Sequence, residues 1–367
     1  MKLNSGVSGY CQRSGVTEYL KIDIRKVLIL ALSLTLLSGL LLRMRLGVLL
    51  GGFAGGLDLH RAHSHLGYYG VLFPITWAAL RFRGGWVPGK KSLFWYFAFC
   101  FLSFVGFLRE GYGFLAIASS TGILFFWILF AGKNIFRRKT AADGWLAAVP
   151  YAVLISSALI PFVAVLTPKD PATAKALANL FLALLMFGVF IPAVLTPRLV
   201  RRPSAWLWLP LSLAAAADTS GFEIGRFTGW GCIVWGAGFS WFLFSTLRIS
   251  ARRRDPILLA WTTVAVSTIL LGLGLFPRSH AASVAGIHFI VLGPVLLGFF
   301  ENGWRWKLSR SFQIPYFGFL IAMAAAILGT GIAPSWMLFF HRIAGATGAI
   351  LIFLLAKEAW KHRHFGA

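Results

Sequence analysis

Histidine is the side chain with the clearest capacity for chemistry in this sequence, because neutral imidazole is a common metal ligand near neutral pH. The eight histidines are clustered, and none occurs between residues 66 and 279. They are His60, His63, His65, His280, His288, His341, His362 and His364. The last two belong to a basic C-terminal tail and are expected to be solvated, which leaves six candidate ligands.

The segments that carry these histidines are strongly apolar. The 367-residue chain is 58% apolar and 13% charged, with a mean hydropathy of +0.77, whereas soluble domains are about 45–50% apolar and about 25% charged. This composition excludes a soluble globular domain, a disordered chain and a disulfide scaffold. The net charge is +24, and the charged residues lie between the apolar runs. This pattern is typical of a membrane protein in contact with anionic lipid rather than of a nucleic-acid-binding protein.

Twelve apolar runs are candidate membrane spans, which need about 20 residues, and the run 204–219 is the shortest of them. They are residues 24–42, 60–80, 92–108, 113–132, 145–167, 174–197, 204–219, 229–248, 256–276, 280–300, 314–333 and 337–357. The sequence therefore predicts an all-α integral membrane protein with twelve transmembrane helices. The membrane domain would cover residues 24–357, with cytoplasmic tails at 1–23 and 358–367.

The basic residues predict the orientation of these spans. Of the 35 Lys and Arg residues, 26 fall in the tails and in the connections that follow even-numbered spans. Cytoplasmic segments carry an excess of Lys and Arg, so both termini are expected in the cytoplasm. The even-numbered spans then run from outside to inside.

Three of the even-numbered spans share a pattern, in which a reference residue is followed five positions later by a glycine. The three pairs are His65 and Gly70, Ala183 and Gly188, and His288 and Gly293. In the first two spans a proline follows at the ninth position, as Pro74 and Pro192. Repeats are common in membrane folds, and this one predicts three pseudo-symmetric units of four helices.

His65 and His288 occupy equivalent positions of this repeat and lie at similar predicted depths. From the starts of their spans they are about 8 Å and about 12 Å along the helix axis, at about 1.5 Å per residue. Two histidines that face each other across a helix bundle satisfy the axial positions of a haem iron. His63 is about 200° from His65 around the helix, so only one of them is expected to face the core. His60 and His63, at i and i+3, form an alternative metal site near the outer surface.

Three arginines near the outer ends of the first and last spans, Arg43, Arg45 and Arg342, are candidates for binding haem propionates, because arginine forms bidentate bonds to carboxylates. Their alternative role is to anchor the helices at the lipid headgroups.

All eleven acidic residues fall in tails, connections or span ends. Proton pumps need ionisable groups inside the membrane, so neither proton pumping nor oxygen reduction is expected of this chain alone.

The second and tenth spans resemble those of the haem-copper oxidase subunit I superfamily, in a degenerate form. The matching residues are His65-Leu66 with Pro74, and the segment Val284-Ala285-Gly286-Ile287-His288-Phe289. The resemblance implies a twelve-span scaffold with His65 and His288 on one low-spin haem, and His280 near its propionates. The high-spin haem ligand of the family corresponds to Gly286, and the copper-binding histidines have no counterpart, so copper is not expected.

The resemblance implies a b-type cytochrome with one haem per chain, in the plasma membrane of a bacterium or archaeon. Its expected partners are membrane lipids and other respiratory or cytochrome subunits. An NnrS-like haem protein of nitric oxide metabolism is an alternative, since that family also has a His-x-His pattern near a span start. A haem-free structural subunit or transporter on the same scaffold is a third interpretation.

Overall fold

The computed structural model describes residues 23–46, 58–81, 85–136, 144–196, 199, 203–220, 229–249, 255–276, 279–304 and 306–362. Within these ranges the chain is helical apart from short connections and contains no strand. The sequence-based expectation of an all-α protein is confirmed for this part of the chain.

The helices are numbered here in chain order. They are α1 (Asp23–Leu46), α2 (59–81), α3 (Lys90–Glu110), α4 (Phe114–Ile135), α5 (Val149–Leu166), α6 (Pro171–Leu195), α7 (Ala205–Ser220), α8 (Trp230–Ile249), α9 (Pro256–Gly272), α10 (280–303), α11 (Arg310–Ile332) and α12 (Met337–Lys361).

Eight of the described helices are long and apolar enough to cross a membrane, namely α1, α3, α4, α5, α6, α10, α11 and α12. Helices α7 and α9 are shorter, with 16 and 17 residues. Large apolar side chains such as Phe114, Phe136 and Trp206 are more than four-fifths exposed, a distribution expected where the surrounding solvent is lipid. The chain is therefore a multi-pass membrane protein in contact with lipid, and the count of twelve spans stays a prediction.

Helices α2, α6 and α10 each contain one π-helical segment, at Gly67–Leu72, Met186–Phe190 and Val291–Val295 respectively. The three glycines of the sequence repeat, Gly70, Gly188 and Gly293, all lie inside these segments. Such insertions are rare and are found frequently at functional sites. The positions that share the sequence pattern thus also share an unusual backbone geometry.

Each π-helical segment has one carbonyl that accepts a hydrogen bond from an aromatic side chain of a neighbouring helix. The three bonds are Tyr96 Oη to Tyr69 O at 2.5 Å, Trp208 Nε1 to Phe187 O at 3.1 Å, and Tyr316 Oη to Leu292 O at 2.8 Å. In every case the acceptor is the residue directly before the repeat glycine. Unpaired backbone groups are costly inside a membrane, so the aromatic donor offsets the disturbed helix hydrogen bonding.

The same three helices form the centre of the bundle. Their C-terminal parts, Phe73–Arg81, Ile191–Leu195 and Leu296–Gly303, contact one another. Nearly all side chains from Met186 to Leu195 are excluded from solvent. The N-terminal half of α2 packs on α1 and α3, and that of α10 packs on α11. This arrangement leaves a cavity between the N-terminal halves of α2 and α10.

Candidate functional site

A cavity of about 580 Å³ lies between α1, α2, α6, α10, α11 and α12. This volume is in the usual range for small-molecule and cofactor sites, about 300–1,000 Å³. Leucine, isoleucine and valine make up 16 of its 35 lining residues. Its hydrogen-bonding and charged lining side chains include Thr35, Arg43, His60, Arg61, His63, Ser64, His65, Tyr112, Lys175, Asn179, His280 and His288. We call the end with Arg43, His60, Lys175 and His280 the mouth.

Within the cavity the imidazole rings of His63 and His288 face each other across the gap between α2 and α10. Their ring centroids are 5.9 Å apart and their planes are 17° from parallel. Directly stacked rings are closer, as His65 and Phe107 show with centroids 3.7 Å apart. Two imidazole nitrogens bound to one metal ion at about 2 Å each would hold the ring centroids about 6 Å apart. The centroid distance of 5.9 Å between His63 and His288 is compatible with a metal ion shared by the two rings.

The hydrogen bonds of these two rings leave one nitrogen of each available. His63 Nδ1 lies 2.7 Å from Thr35 O and His288 Nδ1 lies 2.8 Å from Val284 O. A backbone carbonyl can only accept, so both Nδ1 atoms carry the proton and both Nε2 atoms keep a lone pair. Metal-binding histidines almost always donate their second ring N–H in this way, which fixes the tautomer and the ring orientation.

His65 also lines the cavity, but its ring is packed on a different helix. It stacks on Phe107 of α3 at an interplanar angle of 24°, and its Nδ1 lies 2.9 Å from Arg61 O. In the part of the chain that the structure describes, His65 makes no ring contact with His288, and the partner of His288 is His63. In the structure His63, and not His65, is therefore the α2 histidine whose ring neighbours that of His288, and the pairing of His65 with His288 on one haem stays a prediction.

The rotation of α2 about its axis explains this difference. His63, Gly67 and Gly70 follow one another at i, i+4 and i+7 and face α1, where Gly67 adjoins Thr35 and Gly70 adjoins Ala31. The opposite face, including His65, packs on α3. Small residues let two membrane helices approach closely, so the glycines that follow His63 are the sequence signal that could have identified the histidine facing α1.

Among the candidate cations, Arg43 lines the cavity whereas Arg45 and Arg342 do not. Arg43 is half-buried, and its Nη1 lies 3.4 Å from Nδ1 of His341, which is only 7% exposed. Arg342 is exposed on the same helix as His341. In the described ranges no carboxylate forms an ion pair with Arg43. A half-buried guanidinium without an anion is costly, so this part of the wall favours an acidic ligand.

The remaining predicted residues lie at the mouth. His280 and His60 are exposed there, at the start of α10 and α2. Arg61 is paired with Asp58 at 2.7 Å and lies over the ring of Tyr112. His63 is engaged with Thr35 and His288, so the alternative surface site of His60 with His63 gains no support from these contacts.

No known family model, curated protein or solved structure matches the chain. Across the described ranges no three His, Cys, Asp or Glu side chains are grouped so that they could hold a metal ion. Two facing histidines without a third protein ligand suit a metal that brings its other ligands with it, as the iron of a haem does.

Proposed function

We propose that this protein is a membrane b-type cytochrome, in which His63 and His288 are the axial ligands of one haem. The observation that carries the proposal is the facing pair of rings, 5.9 Å apart and nearly parallel, with both Nδ1 atoms donating to backbone carbonyls. His65 is the alternative ligand from α2, as its Nδ1 is also engaged with a backbone carbonyl.

The cavity around the pair supports a large, flat, mostly apolar ligand with acidic groups at one edge. Its walls are apolar along α1, α2, α10 and α12, which matches the body of a porphyrin. Arg43 supplies a cation without a carboxylate partner in the described chain, and would pair with a propionate. Lys175 and His280 lie at the same mouth. Arg45 and Arg342 lie outside the cavity wall and are not assigned to this role.

Bound haem supplies a one-electron couple whose potential is set by its ligands and surroundings. The protein residues have three tasks in this proposal. His63 and His288 would hold the iron through their Nε2 atoms, and two protein ligands would leave no site open for oxygen. The apolar wall excludes water and lowers the local dielectric constant. Arg43 neutralises acidic groups that would otherwise be costly to bury.

The scaffold proposed for this site has twelve membrane spans in three units of four helices. Its support is the threefold recurrence of a π-helical segment, a glycine and an aromatic hydrogen-bond donor on α2, α6 and α10. With both termini in the cytoplasm, the mouth lies at the outer face of a bacterial or archaeal plasma membrane. Electrons would then be exchanged with other respiratory or cytochrome subunits near that face.

A reduced-minus-oxidised visible spectrum of the purified full-length chain, followed by addition of carbon monoxide, tests this function. The proposal predicts a low-spin b-type spectrum that carbon monoxide does not change, because both axial positions are filled. A spectrum that shifts with carbon monoxide or nitric oxide would instead favour the NnrS-like interpretation, in which one position is open. Absence of haem after mild purification from haem-replete cells would contradict both and favour a haem-free subunit or transporter.

A further inference from the structure

We propose that Gly39 of α1 is a positioning residue for His63, and that α1 thereby sets the angle between the two axial imidazole planes. This inference rests on the proposed haem function and goes beyond it, since it assigns a role to a helix that contributes no ligand. Residue 39 has no metal-binding capacity, so its effect would be exerted only through the ring of His63.

The close approach of α1 to the ring is the first observation. A Cβ atom built on Gly39 would lie 2.6 Å from Cε1, 2.9 Å from Nδ1 and 3.3 Å from Nε2 of His63. Carbon atoms in contact are normally about 3.5–4.0 Å apart, so even an alanine would have to displace the ring. His63 is not the end of a long flexible chain, and its ring can move only by rotation about χ1 and χ2. Only glycine at position 39 leaves room for the observed orientation.

The second observation is that the same turn of α1 holds the ring by a hydrogen bond. Thr35 O accepts from His63 Nδ1 at 2.7 Å, and Thr35 precedes Gly39 by one helical turn. Ser38 Oγ donates to Leu34 O at 2.7 Å and to Thr35 O at 3.1 Å. The ring of His63 therefore packs against Gly39 and is hydrogen-bonded to Thr35 O. These two contacts together fix the position and the rotation of the ring.

These contacts of α1 determine the orientation of the His63 ring relative to the His288 ring. His63 and His288 belong to different helices, and each Nδ1 is held by its own carbonyl, Thr35 O on α1 and Val284 O on α10. The angle of 17° between their planes therefore depends on how α1 is placed against α2. Parallel and crossed axial imidazoles give different low-spin ferric EPR spectra, so this angle can be measured.

The test compares the full-length wild type with Gly39→Ala, and with Gly318→Ala as a matched control. Gly318 is also inside a helix, α11, but a Cβ there meets nothing within 4 Å. We expect Gly318→Ala to keep the EPR spectrum of parallel imidazoles. We expect Gly39→Ala to change it to the crossed type or to lose the six-coordinate signal. An unchanged EPR spectrum of Gly39→Ala would overturn the inference, whereas a haem-free wild type would overturn the proposed function itself.

A second pair of variants covers the case in which Gly39→Ala does not fold. His63→Ala removes the ring, so His63→Ala/Gly39→Ala has space for the added methyl group. Free imidazole should restore a low-spin spectrum in His63→Ala by occupying the space left by the His63 ring. In the double variant the methyl group of residue 39 reduces that space. Imidazole should then bind more weakly by on the order of tenfold, the factor that about 1.4 kcal/mol of overpacking produces. Equal imidazole affinity in the two variants would overturn the inference.

Discussion

The rings of His63 and His288 lie nearly parallel with their centroids 5.9 Å apart, although the two residues are 225 positions apart in the sequence. Helices α1 and α10 hold them through Thr35 O and Val284 O respectively. The pair is placed in an apolar cavity next to a half-buried arginine. The proposed haem site rests on these features.

Replacing Arg43 by Gln should lower the midpoint potential of the bound haem. A nearby cation stabilises the reduced form, which carries one positive charge less on the iron, so its loss favours the oxidised form. Potentiometric titration of the purified variant measures the effect. Arg342→Gln is the matched control, because Arg342 lies near Arg43 in the fold but is exposed and does not line the cavity. Equal shifts in both variants would mean that Arg43 has no specific role.

Replacing Tyr96 by Phe should destabilise the bundle by about 1–3 kcal/mol, the cost of leaving a buried polar group without its partner. Tyr96 is fully buried, and its hydroxyl donates to Tyr69 O and accepts from Trp127 Nε1. Thermal unfolding in detergent should show a lower Tm. Tyr112→Phe serves as the control, since Tyr112 is 60% exposed. If Tyr96→Phe unfolds at the wild-type temperature, the aromatic donor is not needed to stabilise the π-helical segment.

Reporter fusions at Arg138, Arg201 and Arg253 should all report the cytoplasm. These positions lie outside the described residues, and the expectation follows from the distribution of basic residues between the spans. Fusions that report a periplasmic location at any of the three would contradict the twelve-span count. The same fusions near Lys169 should report the outer side.

Oxygen uptake by the isolated chain with a chemical reductant should not exceed that of free haem at the same concentration. The physical reason is that two protein ligands leave no open iron position, and that no histidine between residues 66 and 279 could bind copper. Uptake that exceeds this background, and that is lost on replacing His288, would contradict the assignment of a purely electron-transferring site.

The sequence predicted the helical elements well, because apolar runs in a membrane protein are long and are separated by charged connections. The three glycines of the predicted repeat, Gly70, Gly188 and Gly293, each lie in a π-helical segment, while the division into three units of four helices stays a prediction. The π-helical geometry itself was not predictable, because it depends on side chains such as Tyr96 and Tyr316 that reach across from other helices.

The sequence alone does not specify whether His63 or His65 neighbours His288. Both residues lie within one turn of α2, so predicted depth could not separate them, and alignment of the repeat favoured His65. The structure relates His63 to α1 through Gly39 and Thr35. Gly39 and Thr35 precede His63 by 24 and 28 positions, and residues 47–57 between them lie outside the described ranges. The contact depends on how α2 is rotated about its own axis. Hydrophobic periodicity alone does not specify this rotation, whereas the positions of the small residues on each face of α2 indicate it.

The most direct test of the central claim is the reduced-minus-oxidised spectrum of three single variants, His63→Ala, His65→Ala and His288→Ala, in the full-length chain. We expect His63→Ala and His288→Ala to lose the low-spin haem spectrum and to regain it partly with added imidazole. His65→Ala should keep the wild-type spectrum, because its ring is packed on Phe107. Loss of the low-spin spectrum in His65→Ala together with its retention in His63→Ala would contradict the assignment and identify His65 as the axial ligand.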